Sequence, residues 1–456
     1  MSPEIISIIA LVVIFAIATV LPINMGALAF VAAFLVGTLA VGMSTDDIVA
    51  GFPAELVLTL IGVTYLFAIA QNNGTVDLLV RGAVRLVGGY IALIPWVMFA
   101  VTAVLTAIGA LSPAAVAIIA PIALGFASRY GINPLLMGMM VVHGAQGGGF
   151  SPISVYGVTV NGVVEQNDLP SSPLTVFLGS LFFNIAIALV LFFVLGGRGL
   201  IGRRVTDAGR GVAADDHPDD VEVSGHGAAT GPGVGPDTAS PGGVATSTVD
   251  TATATTTRVT PEQVLTLIGL VTLAVLALAF DLDIGFVSIT IATVLALFSA
   301  ARHKGAVSQI SWSTVLLIGG VLTFVFVLQE AGTIDYVGEA VTGLGSPLLV
   351  ALLLAYIGGV VSAFASSTAI IGVAIALAVP FLMSGQIGAV GVVVALSVAS
   401  TIVDVSPFST NGALVLANAQ DVDRDRFYKQ MLGYSGIVVV AGPLLAWLVF
   451  VVPGWL

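Results

Sequence analysis

The sequence predicts an all-α polytopic membrane protein built from two inverted repeats, each of five transmembrane helices and one re-entrant hairpin, with discontinuous helices in both. Three observations carry that expectation. Of 456 residues, 58% are hydrophobic and only 8% charged, with a mean hydropathy of +1.11, where a soluble domain carries about 25% charged residues. The apolar segments reach the roughly 20 residues that a membrane-crossing helix needs, and the short alternating strands of a β-barrel do not occur. The polar landmarks of the first half recur, in the same order, in the second.

The elements follow in chain order. The first apolar stretch begins at Ile5 behind Ser2-Pro3-Glu4. It has neither a basic leading region nor a small-x-small cleavage site, so it reads as a first membrane helix over 4–21 and not as a removed signal peptide. Spans are expected at 23–43 and 56–72, a hairpin at about 90–128, a broken helix at about 133–160 and a span at 173–196. Residues 197–260 interrupt the pattern with GAATGPGVGPDTASPGGVATSTVDTATATTT and its flanks. Such composition buries too little surface to offset its ordering entropy, so a flexible linker is expected. Spans resume at 262–280, 284–301 and 313–329, then a hairpin at about 346–383, a broken helix at about 387–417 and a last span at 431–453. The division is therefore a first repeat 1–196, a linker 197–260 and a second repeat 261–456.

The repeat rests on three alignments. QNNGTVDLLVRGAVRL (71–86) matches QEAGTIDYVGEAVTGL (329–344) at an offset of 258, and FSPISVYG (150–157) matches VSPFSTNG (405–412) at an offset of 255. Ser112-Pro113-Ala114-Ala115 matches Ser366-Ser367-Thr368-Ala369. A duplicated half with an odd number of spans must enter the membrane from opposite sides. Charge agrees. Counting crossings places all 13 Lys and Arg residues on one side, which the positive-inside rule makes cytoplasmic. The opposite loops hold acids, among them Glu4, Asp46, Asp47, Glu55, Glu165, Asp168, Asp281 and Asp283. A cytoplasmic (inner) membrane location follows, with both termini outside and the central linker cytoplasmic. The absence of cysteine excludes disulfides and thiol chemistry. The formal charge of −12 comes mostly from loops and names no partner; no nucleic-acid partner is expected.

Two polar stretches stand out from this apolar background, GGGFSPISVYG (147–157) and VDVSPFSTNGALVLA (403–417). Pro152 and Pro407 remove backbone donors, and Ser406, Asn411 and Gly412 disfavour uninterrupted helix. A helix break within hydrocarbon frees N–H and C=O groups that lipid cannot satisfy, so it is tolerated only where protein or a water-filled cavity covers it. Freed helix N-termini attract anions, and unwound carbonyls bind cations. The hairpin tips at Ser112 and Ser366–Thr368 offer two further helix starts, where hydroxyls cap the helix. The candidate substrate-binding residues are Ser112, Ser151, Ser154, Ser366, Ser367, Thr368, Ser406, Ser409, Thr410 and Asn411. Candidate cation or coupling residues are Ser112, Gly148, Gly149, Thr368, Asp404 and His143. Asp404, an acid within the span region, is a cation ligand or proton carrier, or else a helix-breaking cap; His143 is a buried, satisfied histidine or a proton site. No basic residue falls within the spans, so a bound anion relies on hydroxyls, amides, helix ends and a co-bound cation.

At these residues the chain resembles the ion-transporter superfamily that includes the divalent-anion:sodium symporters. The first half, with HGAQGGGFSPISVYGVTVNG, is most similar to the malonate/dicarboxylate carrier (MatC-type) family. The resemblance covers the chain outside 197–260. It implies a homodimer, an elevator-type movement of the binding domain, and Na⁺ beside each hairpin tip. The symporters carry Ser-Asn-Thr at each tip. Here the second tip keeps serine and threonine with Ser367 in the asparagine's place, and the first, Ser112-Pro113-Ala114, keeps only the serine.

The expected function is secondary active transport of a small dicarboxylate (malonate or a C4 acid), by cation-coupled symport with an elevator mechanism, with Na⁺ (or H⁺) as coupling ion and no other cofactor. A cation/proton antiporter, or another anion carrier of the superfamily, is the alternative. An intramembrane serine hydrolase at GYSG (433–436) is the reading from a different class; its base could come only from His143, and enzyme activity is not expected.

Overall fold

The structure is a computed structural model of the chain. It describes residues 2–21, 23–86, 89–204, 259–280, 282–300, 302–333, 336, 346–363, 367–383, 385, 387–419 and 422–454. Apart from an isolated bridge between Tyr90 and Arg204, the described secondary structure is helical. In the first half lie α1 (Pro3–Val20), α2 (Met25–Val36), α3 (Thr45–Ala50), α4 (Ala54–Asn72), α5 (Thr75–Leu86), α6 (Ile94–Ala107), α7 (Ser112–Tyr130), α8 (Pro134–Gly148), α9 (Val155–Gln166) and α10 (Pro173–Val194). In the second lie α11 (Pro261–Ala279), α12 (Ile284–Phe298), α13 (Trp312–Glu330), α14 (Pro347–Ser362), α15 (Ser367–Met383), α16 (Ala389–Ile402), α17 (Thr410–Ala417) and α18 (Arg424–Phe450). Five of these, α4, α7, α10, α13 and α18, are long and apolar enough to cross a membrane unaided.

Local chemistry starts these helices where the sequence supplies it. Asn24, Asn133, Asp283 and Asp423 accept hydrogen bonds from the first free N–H groups of α2, α8, α12 and α18. Thr260 and Gln263 form a reciprocal capping box on α11. Proline at the first turn of α1, α6, α7, α8, α10, α11 and α14 sits where its missing N–H has no partner to lose.

Packing pairs the halves reciprocally. α2 lies on α13, and α4 lies on α12. In the first pair a Cβ on Gly320 would sit 1.9 Å from the Gly26 carbonyl oxygen; in the second, a Cβ on Gly62 would sit 2.8 Å from the Gly285 carbonyl oxygen. Gly26 corresponds to Gly285 and Gly62 to Gly320, so one backbone crossing is made twice with the halves exchanged. Small residues allow such approach between membrane helices, where close packing substitutes for a hydrophobic driving force. The ends of these helices repeat the exchange. Asn73 donates to Thr266 Oγ1 at 2.6 Å, while Thr333 bonds the Ser7 hydroxyl at 2.5 Å.

The remaining helices form a second set of contacts. α8 packs against α6, α7 and α10, and α16 packs against α14, α15 and α18. Each hairpin's second helix reaches across to the other half: α7 contacts α17, and α15 contacts α9. Apolar side chains such as Phe182, Val271, Phe286, Leu297 and Val440 remain exposed on the outer helices, as lipid-facing positions require.

Two expectations change. Sequence periodicity assigned no element to 75–86, yet α5 forms there; its Asp77, Arg81 and Arg85 exclude it from a spanning role but not from helix. The stretch 197–260 is not linker throughout. Residues 197–200 form a 3₁₀ turn, Arg203 donates to the Tyr130 carbonyl, and Arg204 donates to Tyr90 Oη. Guanidinium–aromatic stacking and carbonyl bonds hold this segment, neither of which depends on an apolar period. Thr260 likewise is the N-cap of α11. Residues 205–258 lie outside the described residues.

Charge is segregated. Arg129, Arg198, Arg203 and Arg204 gather with Tyr90, Tyr130 and Phe193 at one end of the helices. Arg426 lines a groove there with Asn133 and Gly196. Glu55, at the start of α4, lies beside Asp283 and Glu165, at the start of α12 and the end of α9.

Candidate binding site at the broken helices

Both polar stretches leave the helix and re-enter it in the same way. α8 stops at Gly148 and α9 starts at Val155; α16 stops at Ile402 and α17 starts at Thr410. Ser154 and Ser409 are the N-caps of the new helices, accepting from Gly157 N at 3.2 Å and Gly412 N at 3.4 Å. Each cap hydroxyl donates back at 2.7 Å, Ser154 to the Ser151 carbonyl and Ser409 to the Ser406 carbonyl. Their amides close the same turn, Ser154 N to Ser151 O at 2.9 Å and Ser409 N to Ser406 O at 3.0 Å. Pro152 and Pro407 occupy the turn, where no helical N–H is required of them.

Gly412 is not itself the break. It lies inside α17, as Gly157 lies inside α9. A Cβ would lie 1.9 Å from the Ser151 oxygen at Gly157 and 1.9 Å from the Ser406 oxygen at Gly412. Glycine is needed there so that the turn can fold onto the helix it starts.

The second stretch reaches into the first half. Asn411 spends both amide hydrogens: Nδ2 donates to Ser112 Oγ at 2.8 Å and to Asp404 Oδ2 at 2.8 Å. Its backbone N–H donates to Asp404 Oδ1 at 3.3 Å. The hydroxyls of Ser409 and Ser367 also face the Asp404 carboxylate, and Ser367 accepts from Ser362 Oγ at 3.1 Å. Asp404, Ser112, Ser367, Ser406, Ser409 and Asn411 are all buried. Asn411 Oδ1 has no hydrogen-bond partner. The N-termini of α7, α15 and α17 thus meet around one carboxylate, with oxygen donors from both halves. Helix N-termini favour an anion, and the carboxylate and free amide oxygen favour a cation. Among the described residues no group of three His, Cys, Asp or Glu side chains is assembled; the donors gathered here are all oxygen atoms, the type that suits hard cations.

Several candidates differ in place or role from the expectation. Thr410 is exposed, at the first position of α17. Ser112 is not a cap; Leu111 occupies the cap position, and the Ser112 hydroxyl accepts from Asn411 instead. Gly148 packs on α6, where a Cβ would lie 1.9 Å from the Ala103 carbonyl oxygen. Gly149 sits under the ring of Tyr156, and Ser154 Oγ donates to its carbonyl. Ser151 is buried in the first turn. His143 is engaged on both ring nitrogens, Nδ1 with Asn184 Oδ1 at 2.9 Å and Nε2 with Tyr434 Oη at 2.6 Å. Since Asn184 Nδ2 donates to the Ser180 carbonyl, its Oδ1 faces the ring and accepts from His143 Nδ1. Ser366 lies outside the described residues. Thr368 falls within the first turn of α15.

Tyr434, Asn184 and Tyr156 escaped the sequence reading. Tyr156 had a signal: at the offset of 255 it takes the place of Asn411, and Gly149 that of Asp404. Tyr434 and Asn184 had none, since apolar spans carry such residues at any depth. Ser435, the serine of GYSG, donates to the Leu432 carbonyl at 2.9 Å, and His143 is committed to its neighbour Tyr434. No nucleophile–base pair exists there.

Known proteins agree with this architecture. The family described as dicarboxylate carrier protein MatC N-terminus matches residues 1–149. A search of curated protein sequences gave no match. Among solved structures, the YdaH transporter of Alcanivorax borkumensis shares the fold, with a TM-score of 0.54 and 14% sequence identity over 98% of each chain. The chain is therefore read as a multi-pass helical membrane protein that shares its fold with that transporter. Its N-terminal third, residues 1–149, is similar to the MatC N-terminus family of dicarboxylate carrier proteins, and 98% of the chain superposes on the fold of the YdaH transporter.

Proposed function

We propose that the protein is a secondary active transporter of small dicarboxylates, malonate or a C4 acid, coupled to Na⁺ (or H⁺) and working by an elevator movement within a homodimer. The observation that carries this reading is the junction Asp404–Asn411–Ser112, where an unwound segment of one half bonds a hairpin tip of the other. The dicarboxylate class comes from the family that matches residues 1–149. The carboxylates would be met by the hydroxyls of Ser112, Ser151, Ser367, Thr368, Ser406 and Ser409 and by the N-termini of α7, α9, α15 and α17. A cation beside Asp404 would neutralise the buried carboxylate, which is costly to leave uncompensated in the bilayer. The loaded and empty forms then differ in charge and in loop order, and that differential affinity lets the binding domain move against the scaffold of α2, α4, α12 and α13. The exchange of contacts between halves supports two inverted repeats over 1–196 and 261–456, with the basic end cytoplasmic.

Thermal stabilisation of the purified protein across a carboxylate panel, in Na⁺ and in K⁺, tests this directly, because a ligand that prefers the folded state raises apparent stability. A dicarboxylate should stabilise, more in Na⁺ than in K⁺, and the same acid should enter proteoliposomes saturably. No saturable uptake of any carboxylate, together with exchange of cations for protons, would replace this reading with the antiporter.

A further inference from the structure

We infer that coupling runs through a single Na⁺, held at Asp404 in the second broken helix, and that the corresponding position in the first broken helix is closed by Tyr156. This rests on the carrier reading above and adds a stoichiometry to it.

The two turns make the same cap and turn hydrogen bonds, so their differences are informative. At an offset of 255, Asp404 stands where the first half has Gly149, and Asn411 where it has Tyr156. In the first half the ring of Tyr156 covers Gly149: a Cβ there would lie 2.9 Å from Tyr156 Cδ2. The ring packs on Phe150, centroids 5.5 Å apart. Aromatic carbon thus lies against the position that carries the carboxylate in the second half. The Ser154 hydroxyl is shared between the Gly149 and Ser151 carbonyls, and no carboxylate stands in that turn.

The second turn has what the first lacks. Both oxygens of Asp404 accept hydrogen bonds from Asn411, one from the backbone N–H and one from Nδ2. Acceptance on both oxygens is the arrangement of an ionised carboxylate, and a proton would have to displace one bond. Asn411 Oδ1 is buried and unpartnered, an acceptor already desolvated and without a donor. Together with the hydroxyls of Ser112 and Ser367 these atoms offer hard oxygen ligands around one negative charge. That set suits a monovalent metal ion; Ca²⁺ sites gather more oxygens, commonly several carboxylates, and Mg²⁺ keeps much of its water.

The stoichiometry has an electrical consequence. Asp404 travels with the binding domain in both directions, so its charge cancels over a cycle. One Na⁺ with one dianion moves net negative charge inward, which an inside-negative potential opposes. Two Na⁺ would make the cycle neutral, and three would make it driven by that potential.

Sodium titration of the full-length wild-type protein, read as thermal stabilisation at constant ionic strength with choline as the replacement, should follow a one-site curve with a Hill coefficient near one. Asp404→Asn should raise the half-saturating sodium concentration about tenfold or more, since even outer-shell partners of a metal site cost that much. A Hill coefficient near two, no sodium response, or a response unchanged in Asp404→Asn overturns the inference. If Asp404→Asn does not fold, the wild type still decides. Uptake of a dianionic substrate into proteoliposomes should slow under an imposed inside-negative potential; unchanged or faster uptake refutes the single-ion cycle while leaving the carrier reading intact. Failure of every carboxylate to be taken up removes the carrier reading, and the sodium titration then stands alone.

Discussion

Gly412→Ala tests the fold of the second turn at its tightest point. The new methyl group would lie 1.9 Å from the Ser406 carbonyl oxygen, 2.5 Å from its carbon and 2.9 Å from the Val405 oxygen. All three are backbone atoms, so no side chain can swing aside. Relief requires the turn to retreat by more than an ångström, and the Ser406 oxygen is the acceptor for both Ser409 N and Ser409 Oγ. Overpacking costs about 1–3 kcal/mol, and each lost hydrogen bond about 1 kcal/mol. A shift of about 2–4 kcal/mol against the binding-competent turn lowers apparent ligand affinity by about 30- to 1,000-fold. Sodium- and carboxylate-dependent thermal stabilisation measures this. Gly436→Ala is the control, because a methyl group there meets nothing within 4 Å. If Gly412→Ala binds ligands as Gly436→Ala does, the turn is not held against α17 in the way described, and the site built on it fails.

Three further outcomes follow from other parts of the molecule. His143→Ala should destabilise the protein by about 1–3 kcal/mol, because it strands Asn184 Oδ1 and Tyr434 Oη inside the helices; denaturation of the detergent-solubilised protein measures it, and wild-type stability would show the network to be idle. Ser435→Ala should leave transport intact, since its hydroxyl only bonds the Leu432 carbonyl of its own helix; loss of uptake in a stable variant would reopen a role for GYSG. The chain lacks cysteine, so single cysteines report sidedness cleanly. Arg203→Cys should react with an impermeant maleimide from the cytoplasmic side and Asp46→Cys from the outside, and labelling of both from one side would refute the proposed orientation.

The sequence carried the class of the molecule and the place of its irregularities. Low charge and long apolar runs leave helices as the way to satisfy backbone groups in lipid. Ser151-Pro152 and Ser406-Pro407 marked the two unwound segments, because proline and capping serines act on their own backbone neighbours and need no distant partner. The same locality explains the misses. Interior glycines such as Gly412 read as breaks, yet their role is to admit a carbonyl from the preceding turn. Arg203 and Arg204 read as linker, yet they dock on Tyr130 and Tyr90, which lie more than seventy residues earlier in the chain.

Composition, periodicity and internal repetition determined that the chain is a helical membrane protein with two polar interruptions, since those features depend on neighbours along the chain. Tertiary structure alone decided that Asn411 of one half bonds Ser112 of the other, that the same amide bonds Asp404, that His143 is spent on Asn184 and Tyr434, and that Tyr156 covers Gly149. These are contacts between residues remote in sequence or set by the shape of a turn. Their free energy depends on distances of a few ångströms that only packing of the whole chain establishes.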